Sequence, residues 1–143
     1  MTTIYDRCLS GIYNHQLIQR YRELIRVMKK LTPHEREHHF NMNSWGVKTD
    51  CGTVMCAAGF AGSDHWFRRQ GFSFSKRDLE IHFHGRVSWR AIEMFFGYLS
   101  GDHNVYDAIG QRREMAHPVF GKPTSVDEVI AAAEERIRKL THG

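Results

Sequence analysis

Five of the six residues from Ala57 to Gly62 are alanine or glycine, and no other stretch limits the fold of this chain so strongly. Side chains this small bury little surface of their own, and a glycine in a helix interior costs about 1 kcal/mol against alanine. Such a segment is useful where a second element must pack very close. The run from Thr53 to Ser63 is therefore expected to form a central, buried helix with Thr53 near its N-cap. Ser63 then stands where it would cap a second, short helix over residues 64–70, which Gly71 ends.

The rest of the chain is patterned mainly for helix. Leu17, Ile18, Tyr21, Leu24, Ile25 and Met28 recur at steps of three and four, which predicts an amphipathic helix over about residues 10–31. Arg20, Arg22, Arg26, Lys29 and Lys30 fall off its apolar stripe. Thr32-Pro33-His34-Glu35 has the cap, the first-turn proline and the returning carboxylate of a helix start, and a short helix should run to about His39. Phe40 to Gly46 reads as a loop with apolar anchors. Phe72 and Phe74 alternate with Ser73 and Ser75, and Leu79, Ile81 and Phe83 alternate with Glu80, His82 and His84, the period of a two-stranded hairpin. Ser88 should cap a helix carrying Ile92, Phe95, Phe96 and Leu99. Residues 100–123 read as irregular, with a short helix near Val105–Ile109, and Ser125 with Glu128 opens a last amphipathic helix through Val126, Val129, Ile130, Ala133, Ile137 and Leu140. The expected fold is a single α+β domain over residues 1–143, mostly α, with five or six helices and one small β-hairpin. Within it, residues 1–31 are expected to be an N-terminal helix appended to a core over residues 40–140.

Composition narrows the function classes. A chain of 143 residues buries a real core without disulfide staples. No apolar run is long enough to cross a membrane, and Met1 to Arg7 lack the basic region and apolar run of a secretory signal. Three cysteines, Cys8, Cys51 and Cys56, are an odd number, which fits a reducing, cytoplasmic setting with no pairing between Cys51 and Cys56. Lys+Arg less Asp+Glu is 20 − 16 = +4, and fourteen of the basic residues are arginine, the cation that grips carboxylate and phosphate in two-pronged fashion. No block of five or six basic residues occurs, so nucleic-acid binding is allowed but not demanded.

Three constellations could carry chemistry. A cysteine just before a helix feels its positive end and becomes a better nucleophile, which makes Cys51 a candidate, with His82 or His84 as base and Asp50 or Asn104 as orienting group. Asp50-Cys51-Gly52 resembles the nucleophile turn of papain-like peptidoglycan amidopeptidases, although those enzymes rest on a sheet of several strands and only two are expected here. Buried, Cys51 would be an ordinary small hydrophobe. His82-x-His84 on one strand face, with His38, His39 and His65, offers ligands for a structural zinc, but the spacing is generic and no metal or other cofactor is implied. The third constellation interleaves aromatic and basic residues: Trp66-Phe67-Arg68-Arg69 and Arg86-Val87-Ser88-Trp89-Arg90. Such pairs hold single-stranded nucleic acid or an acidic protein surface, while the commoner arrangement buries the rings and lays the arginine stems over them.

Phe40-Asn41-Met42-x-x-Trp45, Cys51-Gly52-Thr53-x-x-Cys56-x-x-Gly59, Phe67-Arg68-x-x-Gly71-Phe72 and Ala91-x-x-Met94-Phe95-Phe96-Gly97 together resemble a group of small uncharacterised proteins of bacteria and their phages. The likeness covers roughly residues 40–140 and implies origin and compactness, with no activity, cofactor or site attached. With no coherent active site in view, the leading expectation is a non-enzymatic, phage- or prophage-type binding protein acting on a host protein, such as an inhibitor of host defence. Its contact residues would be Arg68, Arg69, Arg86 and Arg90, with Trp66 and Trp89. A cysteine-dependent hydrolase or transferase is the first alternative, and direct nucleic-acid binding the second.

Overall fold

The structure is a computed structural model that describes residues 14–43, 46–49, 52–97, 117, 119–121 and 123–142. Among them are six helices: α1 (Asn14–Lys30), α2 (Pro33–His38), α3 (Ala57–Ser63), α4 (His65–Arg69), α5 (Ser88–Phe96) and α6 (Val126–His142). The antiparallel pair β1 (Gly46–Thr49) and β2 (Gly52–Met55) lies between α2 and α3. A three-stranded antiparallel sheet, β3 (Phe72–Ser75), β4 (Glu80–Phe83) and β5 (Arg86–Val87), has the order β3-β4-β5. The fold is thus mostly α within an α+β domain, as the patterning predicts. The expected hairpin is there with a third strand added, and a second hairpin precedes α3.

The apolar stripe of helix α1 buries Leu17, Tyr21, Leu24, Val27 and Met28 against α6, α3 and α5. Tyr21, Leu24, Val27 and Met28 belong to the same core cluster as Phe67, Phe72, Phe95 and Phe96, so this helix is central to the packing. At the cluster's centre the Phe72 and Phe95 rings lie 4.7 Å apart and those of Phe95 and Phe96 4.9 Å apart. Each such pair adds about 0.5–1.5 kcal/mol beyond the area it buries. The buried Tyr21 hydroxyl donates to the Phe96 carbonyl at 2.9 Å and meets the Arg136 guanidinium, while desolvation holds its pKa up at about 12. Helix α2 is closed by the predicted capping box: Thr32 Oγ1 accepts from the Glu35 amide and the Glu35 carboxylate accepts from the Thr32 amide.

The small-residue run is the floor on which the sheet rests. Its helix starts at Ala57, a turn later than expected, because residues 52–55 are drawn into β2 by pairing with 46–49. Cys56 takes the N-cap position, Thr53 sits within a strand, and Ala57, Ala58, Gly59, Ala61 and Gly62 are buried. The close approach falls at Gly62, where an added Cβ would stand 2.5 Å from the Phe74 nitrogen and 2.7 Å from the Ser73 carbonyl carbon. The loop expected from Phe40 ends at β1, and Phe40 is tied to Met55 in a parallel bridge: the Asn41 amide donates to the Met55 carbonyl at 2.9 Å. Ser63 is the last residue of α3, its hydroxyl donating to the Gly59 carbonyl, and Asp64 caps α4 instead. In α6 the Ser125 hydroxyl accepts from the Glu128 amide as predicted, but the Glu128 carboxylate reaches back to Thr124.

Candidate functional site

The thiol reading loses its local premise. Cys51, Asp50 and Asn104 lie outside the described residues, as do Cys8 and the short helix expected near 105–109. The described residues that follow, Gly52–Met55, form strand β2 rather than the expected helix start. The cysteine that does stand at a helix start is Cys56, which is buried, and desolvation raises its thiol to about pKa 11 against the pull of the surrounding backbone amides. That is the state of an inert thiol.

The two histidines of β4 do not share a strand face. The strand ends at Phe83, and His84 is the first residue of a two-residue turn with φ +48, followed by Gly85 at φ +79. Two successive positive φ values define a type I′ hairpin turn. His82 keeps to the outer face of the sheet, its Nε2 lying 3.0 Å from Asp78 Oδ2. His84 is exposed and packs edge-on against Phe83. Among the described residues no group of three or more histidine, cysteine, aspartate or glutamate side chains is arranged to hold a metal ion.

The aromatic and basic residues fare differently from one another. Trp66 and Trp89 are half-buried against the core, so their rings are packing surface first. Arg68, Arg69, Arg86 and Arg90 are all exposed. Three of them lie on elements that adjoin one end of the sheet. Phe72, Phe83 and Arg86 form a single cross-strand row. Arg68 and Arg69 end α4 immediately before that row, and the intervening Gly71 adopts φ +92 beside the turn, its Cβ direction 4.0 Å from His84 Nε2. Arg90 follows β5 in the first turn of α5.

None of these four arginines has an internal counter-charge among the described residues, a state they share with exposed Arg22 and Arg77. Arg26 bonds both Glu23 and Asp64, Arg36 bonds Asp127, and Arg138 bonds Glu135. Arg20, half-buried beside the same sheet end, donates to the Phe95 carbonyl at 2.7 Å and lies 4.2 Å from that ring's centroid, a cation–π contact. Among the described residues, no carboxylate pairs with Arg68, Arg69, Arg86 or Arg90, and no hydrogen bond occupies their guanidinium groups. The acidic side chains on the outer face of the sheet are already engaged: Asp78 with His82, and Glu80 with the Ser88 hydroxyl at 2.5 Å. Sequence reasoning placed Ser88 as a cap, but at φ +56 it turns its hydroxyl onto β4 and no side chain caps α5. Val87, at 45% exposure, is the one large hydrophobic side chain left open among the described residues, and it stands between Arg86 and Arg90.

No protein-family model, no curated protein and no solved structure matches the chain. No helix among the described residues is long and apolar enough to cross a membrane.

Proposed function

We propose that this chain is a non-enzymatic binding protein whose basic sheet end, carrying Arg68, Arg69, Arg86 and Arg90, engages an acidic surface of another protein. The observation that carries the reading is that four exposed arginines with no ion pair among the described residues fall on successive elements around one sheet end: the end of α4, β5 and the first turn of α5. A guanidinium facing water is ready to fork onto a partner carboxylate, and clustered like charge steers an acidic partner during encounter. Exposed Val87 within the patch supplies apolar contact of the kind found at interface centres. A protein partner suits this surface better than nucleic acid, because Trp66 and Trp89 turn much of their area to the core instead of offering open stacking platforms. The resemblance of residues 40–140 to small bacterial and phage proteins supports a host protein as the partner.

The direct test replaces all four arginines by glutamate and measures binding of fluorescein-labelled polyglutamate by anisotropy, beside a single-stranded DNA of equal charge. The reading predicts polyglutamate binding that falls with salt and is lost in the variant. Equal binding by the variant would dismiss it, and a preference for the DNA would move the protein to the nucleic-acid class.

A further inference from the structure

Helix α2 carries a second pattern in the same residues as its capping box. His34-Glu35-Arg36-Glu37-His38 reads His-Glu-x-x-His, the helical spacing that sets two imidazoles on one face, a turn apart, where zinc can take both. Both histidines fall within α2, both are exposed, and their ring centres lie 4.6 Å apart with the planes at 41°. Two imidazoles that bind one tetrahedral ion through nitrogens about 2.0–2.1 Å from it hold their ring centres roughly 5 Å apart. His34 and His38 therefore stand at a chelating separation. Among the described residues no hydrogen bond occupies either ring. The Glu37 carboxylate lies 3.8 Å from His38 Nε2 and favours a cation there. The neighbouring Arg36 guanidinium is engaged elsewhere, by the Leu31 carbonyl and Asp127.

From this we infer that His34 and His38 form a two-imidazole clamp for a divalent transition ion of the zinc class, with water in the remaining coordination positions. The clamp stands apart from the acidic-partner surface and does not depend on it. Imidazole suits zinc, copper and nickel, whereas calcium and magnesium take oxygen ligands. In the metalloprotease use of this pattern the glutamate after the first histidine is the general base for zinc-bound water. Here the Glu35 carboxylate accepts from the Thr32 amide at 2.9 Å, so the cap has taken that group and the clamp binds without hydrolysing. A third imidazole, His39, has its ring centre 5.4 Å from that of His34. Its Nδ1 donates to the Thr53 carbonyl at 3.2 Å, and among the described residues no three ligands converge on one point, so His39 borders the clamp without closing it. A bound ion ties the first turn of α2 to its last, a useful constraint in a helix of six residues, which is too short to persist alone.

The experiment titrates the full chain with zinc chloride, followed by calorimetry and by nitrogen–proton spectra of the histidine rings. The clamp predicts that the first equivalent of zinc shifts the ring signals of His34 and His38 together, and that excess calcium does not displace it. Affinity for that equivalent should fall at least tenfold in His34→Gln and in His38→Gln, and stay within threefold of the parent in His39→Gln and His82→Gln. Zinc that shifts the His82 ring first, or that binds His34→Gln and His38→Gln as tightly as the parent, would overturn the clamp. A loss in His39→Gln equal to that in His34→Gln would overturn the two-imidazole assignment. Both ligands are exposed, so their replacement leaves the core untouched. Circular dichroism checks that the variants keep the fold; should one unfold, the ring spectra of the unaltered protein still decide.

Discussion

Arg26 holds Asp64 with both ends of its guanidinium, Nη1 at 3.2 Å from Oδ1 and Nη2 at 2.7 Å from Oδ2. The same carboxylate accepts the Trp66 amide at 3.0 Å and so caps α4. One side chain thus fixes the central helix α1 to the short helix that ends in Arg68 and Arg69.

Asp64→Ala removes the cap and one partner of the ion pair, and should destabilise the fold by about 1–3 kcal/mol, most of it from the cap. Partial burial alone would raise the Asp64 carboxyl, but the bonds from Arg26, and its charge, outweigh this and hold the pKa below the ordinary value of 3.8. A depressed pKa contributes stability above the unfolded value and loses it as pH falls through the folded one. Asp64→Asn should therefore remove part of the acid sensitivity below about pH 4 in chemical denaturation series.

His117 acts in the same direction, over a higher pH range. It is buried, and its Nδ1 accepts the amides of Val119 at 3.1 Å and Phe120 at 3.2 Å, which requires the neutral ring. Desolvation, with the Arg136 charge behind it, lowers its pKa from 6.5 to about 3. The unfolded chain takes up this proton first, so stability should drop as pH falls below 6.5, by up to about 1.4 kcal/mol per pH unit. His117→Asn keeps an acceptor for the two amides but does not titrate. Its unfolding free energy measured from pH 7.5 to 4.5 should fall less steeply than that of the parent chain, and parallel curves would contradict this assignment.

Gly62→Ala tests the floor beneath the sheet. The new methyl would meet backbone atoms of Ser73 and Phe74 at 2.7 and 2.5 Å, which cannot give way as a side-chain tip can. A loss of about 1–3 kcal/mol is expected from overpacking. Gly85→Ala meets nothing within 4 Å, but φ is +79 there, so its smaller loss of about 1 kcal/mol should come from backbone strain alone. Thermal unfolding of the two variants side by side should rank them in that order.

Iodoacetamide labelling mapped to peptides should leave Cys56 unmodified in the native protein at pH 8 and modify it on unfolding. A thiol raised to about pKa 11 and fully covered offers neither thiolate nor access. Fast native labelling at Cys56 would mean that α3 opens locally.

Much of this architecture is legible in the residues, and the exceptions have local causes. The Thr32–Glu35 box, the stripe of α1 and the alternation of Phe72 to Phe83 are each specified within a few residues, and each forms as patterned. Strand β2 is four residues long and exists through pairing with Gly46–Thr49, so its Thr-Val-Met reads equally well as the first turn of the helix that follows. The His84-Gly85 turn was there to be read, since a glycine in the second place of a two-residue link signals the I′ form, and it would have kept His84 off the strand face. The Arg26–Asp64 bond joins residues 38 apart and leaves no periodic trace. Exposure of the four arginines follows from their sequence setting, whereas the lack of counter-charges beside them is a tertiary fact.

The most direct measurement of the central claim is a set of amide nitrogen–proton correlation spectra of the full chain, recorded while polyglutamate is added. The account predicts shift changes gathered on Arg68 to Gly71 and on His84 to Arg90, with α6 unmoved. Changes centred on Lys29 and Lys30 at the end of α1, or spread evenly over every exposed cation, would contradict it.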